Sequence, residues 1–346
     1  MKIVVLAGGL SPERDVSLSS GSLIANALAE EGHAVLLLDV YLGIETDPSV
    51  PLDSLFRTDR CYSYKVSEEE PDLDALKRQS GMGDALVGKN VISVCKAADV
   101  VFLALHGASG ENGQLQATLD SYGIRYTGSG YVGSLLAMDK DISKKLLASE
   151  GVLCPVGVTV KGGCEDLEEI EKAVGYPCVI KPCSCGSSVG INMAKNREEL
   201  KGALDLAARY ENRILVEKRI IGREFTMGIL DGVTLPPVEI IPKAGFYDYK
   251  NKYQAGLTEE ICPAELSDVE IKRLSEISLR AFRALRLRDY ARLDYILDAE
   301  GRFWCLEANT LPGMTPTSLL PQEAAAVGIS YASLCVRIAE LALKHL

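Results

Sequence analysis

Met1-Lys2-Ile3-Val4-Val5-Leu6-Ala7-Gly8-Gly9 is an apolar run that ends in a glycine turn. It is far shorter than the hydrophobic region of a signal peptide and reads as a first β-strand over Ile3 to Leu6. Outward from it, Val16 to Glu31 carries apolar residues at helical spacing, and Ala34 to Val40 is again strand-like. Strand, helix and strand in succession predict a parallel α/β layer. The segment from Tyr41 to Asn90, rich in Asp, Glu, Ser and Pro with weak periodicity, predicts irregular connections and short helices. Val100 to Leu105 predicts a further strand ending in His106-Gly107, followed by a helix from Gly113 to Tyr122 and the glycine-punctuated Thr127-Gly128-Ser129-Gly130.

A second unit is marked by a helix from Asp139 to Glu150, the strand Cys178-Val179-Ile180, a glycine-serine loop at Gly186 to Gly190 and a helix from Arg197 to Tyr210. A third is expected to start with the strand Ile214 to Glu217 and to end in a helix from Tyr331 to His345. The fold class is therefore α/β, in units of 1–127, 128–213 and 214–346, and 346 residues are enough for two or three packed cores.

The composition, 47% hydrophobic and 25% charged, excludes a disordered chain. A net charge of −11 without a basic patch speaks against nucleic acid or anionic membranes as partners and leaves small-molecule chemistry. No window approaches the roughly 20 apolar residues that cross a bilayer, so a cytoplasmic location is expected. The ten cysteines are scattered, which predicts reduced thiols, and Cys183 and Cys185 lack the spacing of a zinc site.

The stretch Arg292 to Asn309 reads as two apolar strands around an acidic turn at Glu300-Gly301. With those two residues as the loop, Asp294 faces Glu307 and Arg292 faces Asn309 on one side of the hairpin, their Cβ atoms about 5 Å apart. Opposed carboxylates repel, so one is protonated, cations flank them, or a metal sits between them. An all-oxygen set of Asp294, Glu307 and Asn309 suits Mg²⁺ better than Zn²⁺. From these residues alone, a metal-binding face and a solvated acidic face remain equal alternatives. Lys181-Pro182 with Gly186-Ser187-Ser188-Val189-Gly190 fits a phosphate-covering loop without the Walker spacing, or a plain turn. Lys140 is a candidate second phosphate contact or a solvated surface lysine, and Glu217 and Glu224, at the entry to the third unit, are candidate acceptors for adenine or ribose or ordinary acidic strand ends.

The order of these segments resembles the D-alanyl-D-alanine ligases of the ATP-grasp superfamily over essentially the whole chain. The resemblance rests on Gly8 to Gly21, Leu105-His106-Gly107 with Gly110-Glu111-Asn112-Gly113, Tyr126 to Gly130, and above all Leu306-Glu307-Ala308-Asn309-Thr310-Leu311-Pro312-Gly313-Met314-Thr315. It implies an N-terminal α/β domain followed by a two-part ATP-grasp fold that joins two D-alanines through an acyl phosphate, for peptidoglycan precursors. It further implies ATP, two Mg²⁺ ions (for which Mn²⁺ can substitute) and a homodimer.

The resemblance also implies individual roles. Lys140, Lys181 and Lys252 would contact phosphates, with Ser188 in the covering loop, Glu217 on the adenine side and Glu224 on the ribose. Asp294, Glu307 and Asn309 would hold the metal. Glu13 would bind the ammonium of the first D-alanine, with His106 nearby on the substrate side, and Ser318 with Lys252 would fix the carboxylate of the second. Arg292 and the Gly313 N–H would stabilise charge on the reacting carbonyl. Ser187 and Tyr253 would link to Glu13 beneath a lid at Gly245 to Gly256. Tyr253 after Lys252 favours the dipeptide over the D-lactate and D-serine products of relatives, and the complete set of polar residues argues against a silent nucleotide-binding regulator. The cysteines between Lys181 and Gly186 depart from the usual pattern.

Overall fold

The computed structural model describes residues 1–67, 71–163, 166–186, 189–243 and 258–345. In the first unit β1 (Lys2–Ala7) lies between β2 (Ala34–Asp39) and β3 (Val100–Leu103), all parallel. Residues Ile3 to Ala7 are wholly buried, as a strand covered on both faces requires. Helix α1 (Arg14–Glu30) turns Ile24, Ala25 and Leu28 into this core. At Gly21 a Cβ would stand 2.6 Å from that of Ala7, so only glycine lets the helix lie so close to the sheet. The expected irregular region contains the short helix α2 (Leu73–Ser80), and α3 (Val91–Ala97) follows directly after it. It is followed past β3 by α4 (Ala108–Glu111), α5 (Gln114–Ser121), α6 (Tyr131–Met138) and α7 (Lys140–Ser149).

The second sheet is antiparallel, in the order β4 (Gly157–Lys161), β7 (Arg213–Lys218), β5 (Cys178–Pro182), β6 (Asn192–Ala194). Helices α8 (Leu167–Val174) and α9 (Arg197–Ala207) cover it. The strand expected to open the third unit is thus β7, inside the second sheet. Its Ile214 and Val216 complete an apolar cluster with Ile180, Leu200 and Leu204, which leaves Leu215 and Glu217 on the opposite face.

The third sheet runs β11 (Thr258–Ile261), β10 (Val238–Pro242), β8 (Arg223–Leu230), β12 (Tyr290–Leu297), β13 (Phe303–Asn309), with β9 (Val233–Thr234) on β8. Helix α10 (Asp268–Ala284) packs on it and starts at a reciprocal capping box between Ser267 and Glu270. Two further helices follow, α11 (Leu319–Ala326) and α12 (Tyr331–Ala342). Helix α12 leaves its own unit, for Leu334, Cys335 and Ile338 join the core that contains β1. Among the described residues no single helix is long and apolar enough to cross a membrane.

The β12–β13 hairpin corrects one expectation. Its turn is not the two-residue loop Glu300-Gly301, because Leu297 pairs with Phe303 and residues 298–302 form the connection. Asp298 closes that loop by accepting from the Arg302 N–H at 2.8 Å and from Trp304 Nε1 at 2.7 Å. Between Asp294 and Tyr295 the register shifts, leaving Leu306 as an extra residue, so Asp294 still pairs with Glu307 and Arg292 with Asn309.

Candidate active site

Two cavities meet at β13. One, of about 440 Å³, lies between the second and third sheets and is lined by Lys181, Glu217, Glu224, Asp294 and Glu307 among apolar side chains such as Met193 and Ile296. The other, of about 390 Å³, is lined by Glu13, His106, Lys140, Arg292, Asn309 and Ser318, with Gly186 and Gly313 at its wall. Glu307 belongs to both.

Asp294 is buried at this junction. Its carboxylate accepts from Arg292 Nε and Nη2 at 2.9 Å each, from Thr226 Oγ1 at 2.7 Å and from Asn309 Nδ2 at 3.0 Å. Repulsion between the opposed carboxylates is met by cations, since Arg292 grips Asp294 and Lys140 Nζ stands 3.5 Å from Glu307. Asn309 gives its amide nitrogen to Asp294, which frees its carbonyl oxygen for a cation. Among the described residues no three His, Cys, Asp or Glu side chains converge. The donor set is two carboxylates and an amide, all oxygen, and it fits a hard ion such as Mg²⁺.

In the larger cavity Lys181 and Glu217 are buried diagonal neighbours on β5 and β7, and the Lys181 ammonium contacts Glu217 Oε1. Burial opposes charge on Glu217, yet Lys144 and Lys181 together hold its carboxyl below the ordinary range. Burial also pushes the Lys181 ammonium down, against the pull of Glu217. Glu224 on β8 pairs with Ile240 and Ile296 and faces the same cavity. Charged groups of both signs and apolar side chains thus line one slot, which suits a flat base with a charged tail.

In the smaller cavity Glu13 is the buried N-cap residue of α1, its backbone N–H donating to Ser11 Oγ at 3.1 Å. Burial pushes the His106 imidazole down, with Glu13 opposing, so this ring is held neutral. A Cβ on Gly186 would lie 4.0 Å from Glu13 Oε2, so the glycine-serine loop reaches the smaller cavity from the second unit. Ser318, the N-cap residue of α11, accepts from the Thr315 N–H at 3.1 Å. A Cβ on Gly313 would come within 2.9 Å of Ser318 Oγ. Lys140 is buried and donates to the Cys185 carbonyl at 2.8 Å, tying α7 to the loop after β5.

Ser187, Ser188, Lys252, Tyr253 and the expected lid at 245–256 lie outside the described residues. Cys183 is buried, with its thiol pushed up to about 11 by burial, and Cys185 is half-buried and likewise raised. Two residues at the site were not singled out from sequence. Glu111 lines the smaller cavity and accepts from the Gly107 N–H at 2.9 Å. Lys144 pairs with Glu217, and its position one helical turn after Lys140 was the available signal.

A parallel α/β unit ahead of two antiparallel sheets that clasp an apolar slot with buried lysines defines an ATP-grasp enzyme. The model of the D-ala D-ala ligase N-terminus matches residues 2–129 and that of the D-ala D-ala ligase C-terminus matches residues 158–340, so the chain belongs to the D-alanine–D-alanine ligase family. It is 41% identical over 343 residues to the D-alanine–D-alanine ligase of Pediococcus pentosaceus, covering 98% of this chain and 96% of the relative. The ligase of Lacticaseibacillus casei is 39% identical over 346 residues, covering 99% and 96%. Among solved structures, the D-alanine–D-alanine ligase of Bacillus anthracis complexed with ATP superimposes with a TM-score of 0.76 at 31% identity, covering 99% of this chain and 98% of that one. The VanG D-Ala:D-Ser ligase of Enterococcus faecalis gives a TM-score of 0.77 at 27% identity, with 99% of each chain covered.

Proposed function

We propose that this chain joins two D-alanines into D-alanyl-D-alanine at the expense of ATP, through an acyl phosphate, as a cytoplasmic step in cell-wall precursor synthesis. The observation that carries the reading is the shared wall at Glu307, which adjoins a nucleotide-shaped cavity on one side and a Glu13-containing cavity on the other. A carboxylate is a poor acyl donor, so it must meet the terminal phosphate of ATP before an amine attacks it. Two adjoining cavities with oxygen and cation groups between them suit that encounter.

In this reading Lys140 and Lys181 neutralise phosphate charge, Glu217 accepts from the adenine amino group, and Glu224 holds the ribose. Asp294, Glu307 and Asn309 would hold Mg²⁺, with Mn²⁺ as a substitute. Such ions, when bound, offset the negative charge of the phosphates. Glu13 takes the ammonium of the first D-alanine beside a neutral His106. Ser318 takes the carboxylate of the second, while Arg292 and the Gly313 N–H meet the oxyanion that develops as the amine attacks. Lys252, Ser187, Ser188 and Tyr253 complete the set as the family resemblance implies. A first division near 127, a second after β7 rather than at 213, and a homodimer belong to the same proposal.

The test is phosphate release with ATP and Mg²⁺, with products identified by mass, for D-alanine alone and with added D-lactate or D-serine. Dipeptide, ADP and phosphate from D-alanine alone are expected. A mixed product would move the reading to a depsipeptide or D-alanyl-D-serine ligase, and tight ATP binding without turnover would leave a nucleotide-binding protein.

A further inference from the structure

Helix α7 carries two buried lysines one turn apart, and each meets a carboxylate of the nucleotide cavity. Lys140 reaches Glu307 and lines the amino-acid cavity. Lys144 lines neither cavity, and its Nζ lies 2.7 Å from Glu217 Oε2. The other oxygen of Glu217 contacts Lys181. One carboxylate therefore sits between two ammonium groups, and the cluster keeps a surplus positive charge. Of the two cations, only Lys181 faces the cavity.

Stability alone accounts poorly for Lys144. Among the described residues its ammonium has Glu217 as its one carboxylate partner, at 2.7 Å, and no other acceptor. An ammonium so buried and so sparsely satisfied is costly, and an apolar side chain of similar length would pack there at lower cost.

We propose that Lys144 is a positioning residue for nucleotide binding: it serves as the standing counter-ion of Glu217 and so leaves the charge of Lys181 available to the polyphosphate. Without Lys144, Lys181 becomes the sole partner of Glu217, and the pair presents no net charge to an incoming nucleotide. Glu217 overcomes burial to raise the Lys144 ammonium, whereas burial prevails over Glu217 at Lys181. The inference rests on the nucleotide reading of this cavity but not on the identity of the amino acids joined.

The test compares the full-length wild type with Lys144→Gln and Lys144→Arg, by calorimetric titration with ADP and by steady-state kinetics. For Lys144→Gln, the ADP dissociation constant and the KM for ATP should rise about tenfold or more, while kcat and the KM for D-alanine stay within about threefold. Lys144→Arg, which keeps the charge, should stay within about threefold of wild type in ADP affinity. A folded Lys144→Gln with unchanged ADP affinity, or with equal rises in both KM values, overturns the proposal. Should the Gln variant fail to fold, Lys144→Arg decides, because a tenfold or greater loss of ADP affinity with the charge retained would refute a counter-ion role. ADP titration needs no turnover, so a wild type that makes no dipeptide would count against the ligase reading and leave this result standing.

Discussion

Asp294 and Glu307 face each other across the β12–β13 ladder, and they do so because Leu306 bulges out of β13 just before the pair. Near the turn the strands follow a register one residue different. The bulge moves the pairing, so that both carboxylates and Asn309 share a face, while Leu306 turns to the nucleotide cavity. Arg292, two residues before Asp294 on the same face, then grips it with two parallel hydrogen bonds.

Replacing Asp294 with Asn keeps one accepting oxygen of the two and removes the charge. Turnover should fall about 100-fold or more and the Mg²⁺ requirement should rise, with a folded protein by circular dichroism. Normal turnover at an unchanged Mg²⁺ dependence would remove Asp294 from the metal face.

Glu13→Gln removes one charge from the amino-acid cavity and leaves the nucleotide cavity alone. The KM for the first D-alanine should rise about tenfold with the KM for ATP unchanged. A variant altered only in ATP affinity would show that Glu13 has been placed in the wrong half of the reaction.

Glu111 gives a pH signature. Burial, and then the charge of Glu13, push its carboxyl from 4.5 up to about 8. Between those values the folded protein holds a proton that the unfolded chain has released. Stability is therefore greatest below the lower value, declines as pH rises, and levels off above about 8. In Glu111→Gln this decline should flatten, with a higher melting temperature than wild type at pH 8 and little difference at pH 4.5. Parallel melting curves for the two proteins across this range would contradict the assignment.

Gly228, the strand partner of Arg292, and Glu323 make a packing test behind the site. Glu323 is fully buried and accepts from the Gly228 N–H at 2.9 Å, and a Cβ on Gly228 would stand 2.0 Å from Glu323 Oε2. Gly228→Ala should cost about 1–3 kcal/mol by overpacking. Adding Glu323→Ala should recover part of that loss, so that urea denaturation of the double variant shows less than the sum of the single effects. Full additivity would separate the two residues.

The regular parts of this fold were legible because periodicity is a local signal. β1, α1, β2 and the helices over 140–149 and 197–207 lie close to their expected ranges. The pairing of Asp294 with Glu307 was also expected, but from a tight turn, whereas the actual connection is longer and a bulge compensates for it. Two-residue counting cannot see an extra residue whose effect appears only on the partner strand. β7 was expected to open the third unit because its sequence alternates equally well in either sheet, and only Ile180, Leu200 and Leu204 decide where Ile214 and Val216 are buried. Lys144 escaped notice because a helical lysine normally points to water. Its burial depends on Glu217, which lies 73 positions away in the sequence, the difference between 217 and 144.

Helix α12 supplies Leu334, Cys335 and Ile338 to the same core as β1. During synthesis the first sheet leaves the ribosome long before the helix that seals one side of it. That sheet must therefore wait, with apolar surface uncovered, until almost the whole chain is made. Its closure is a late and long-range event, and early release of the polypeptide would strand the first unit unfinished.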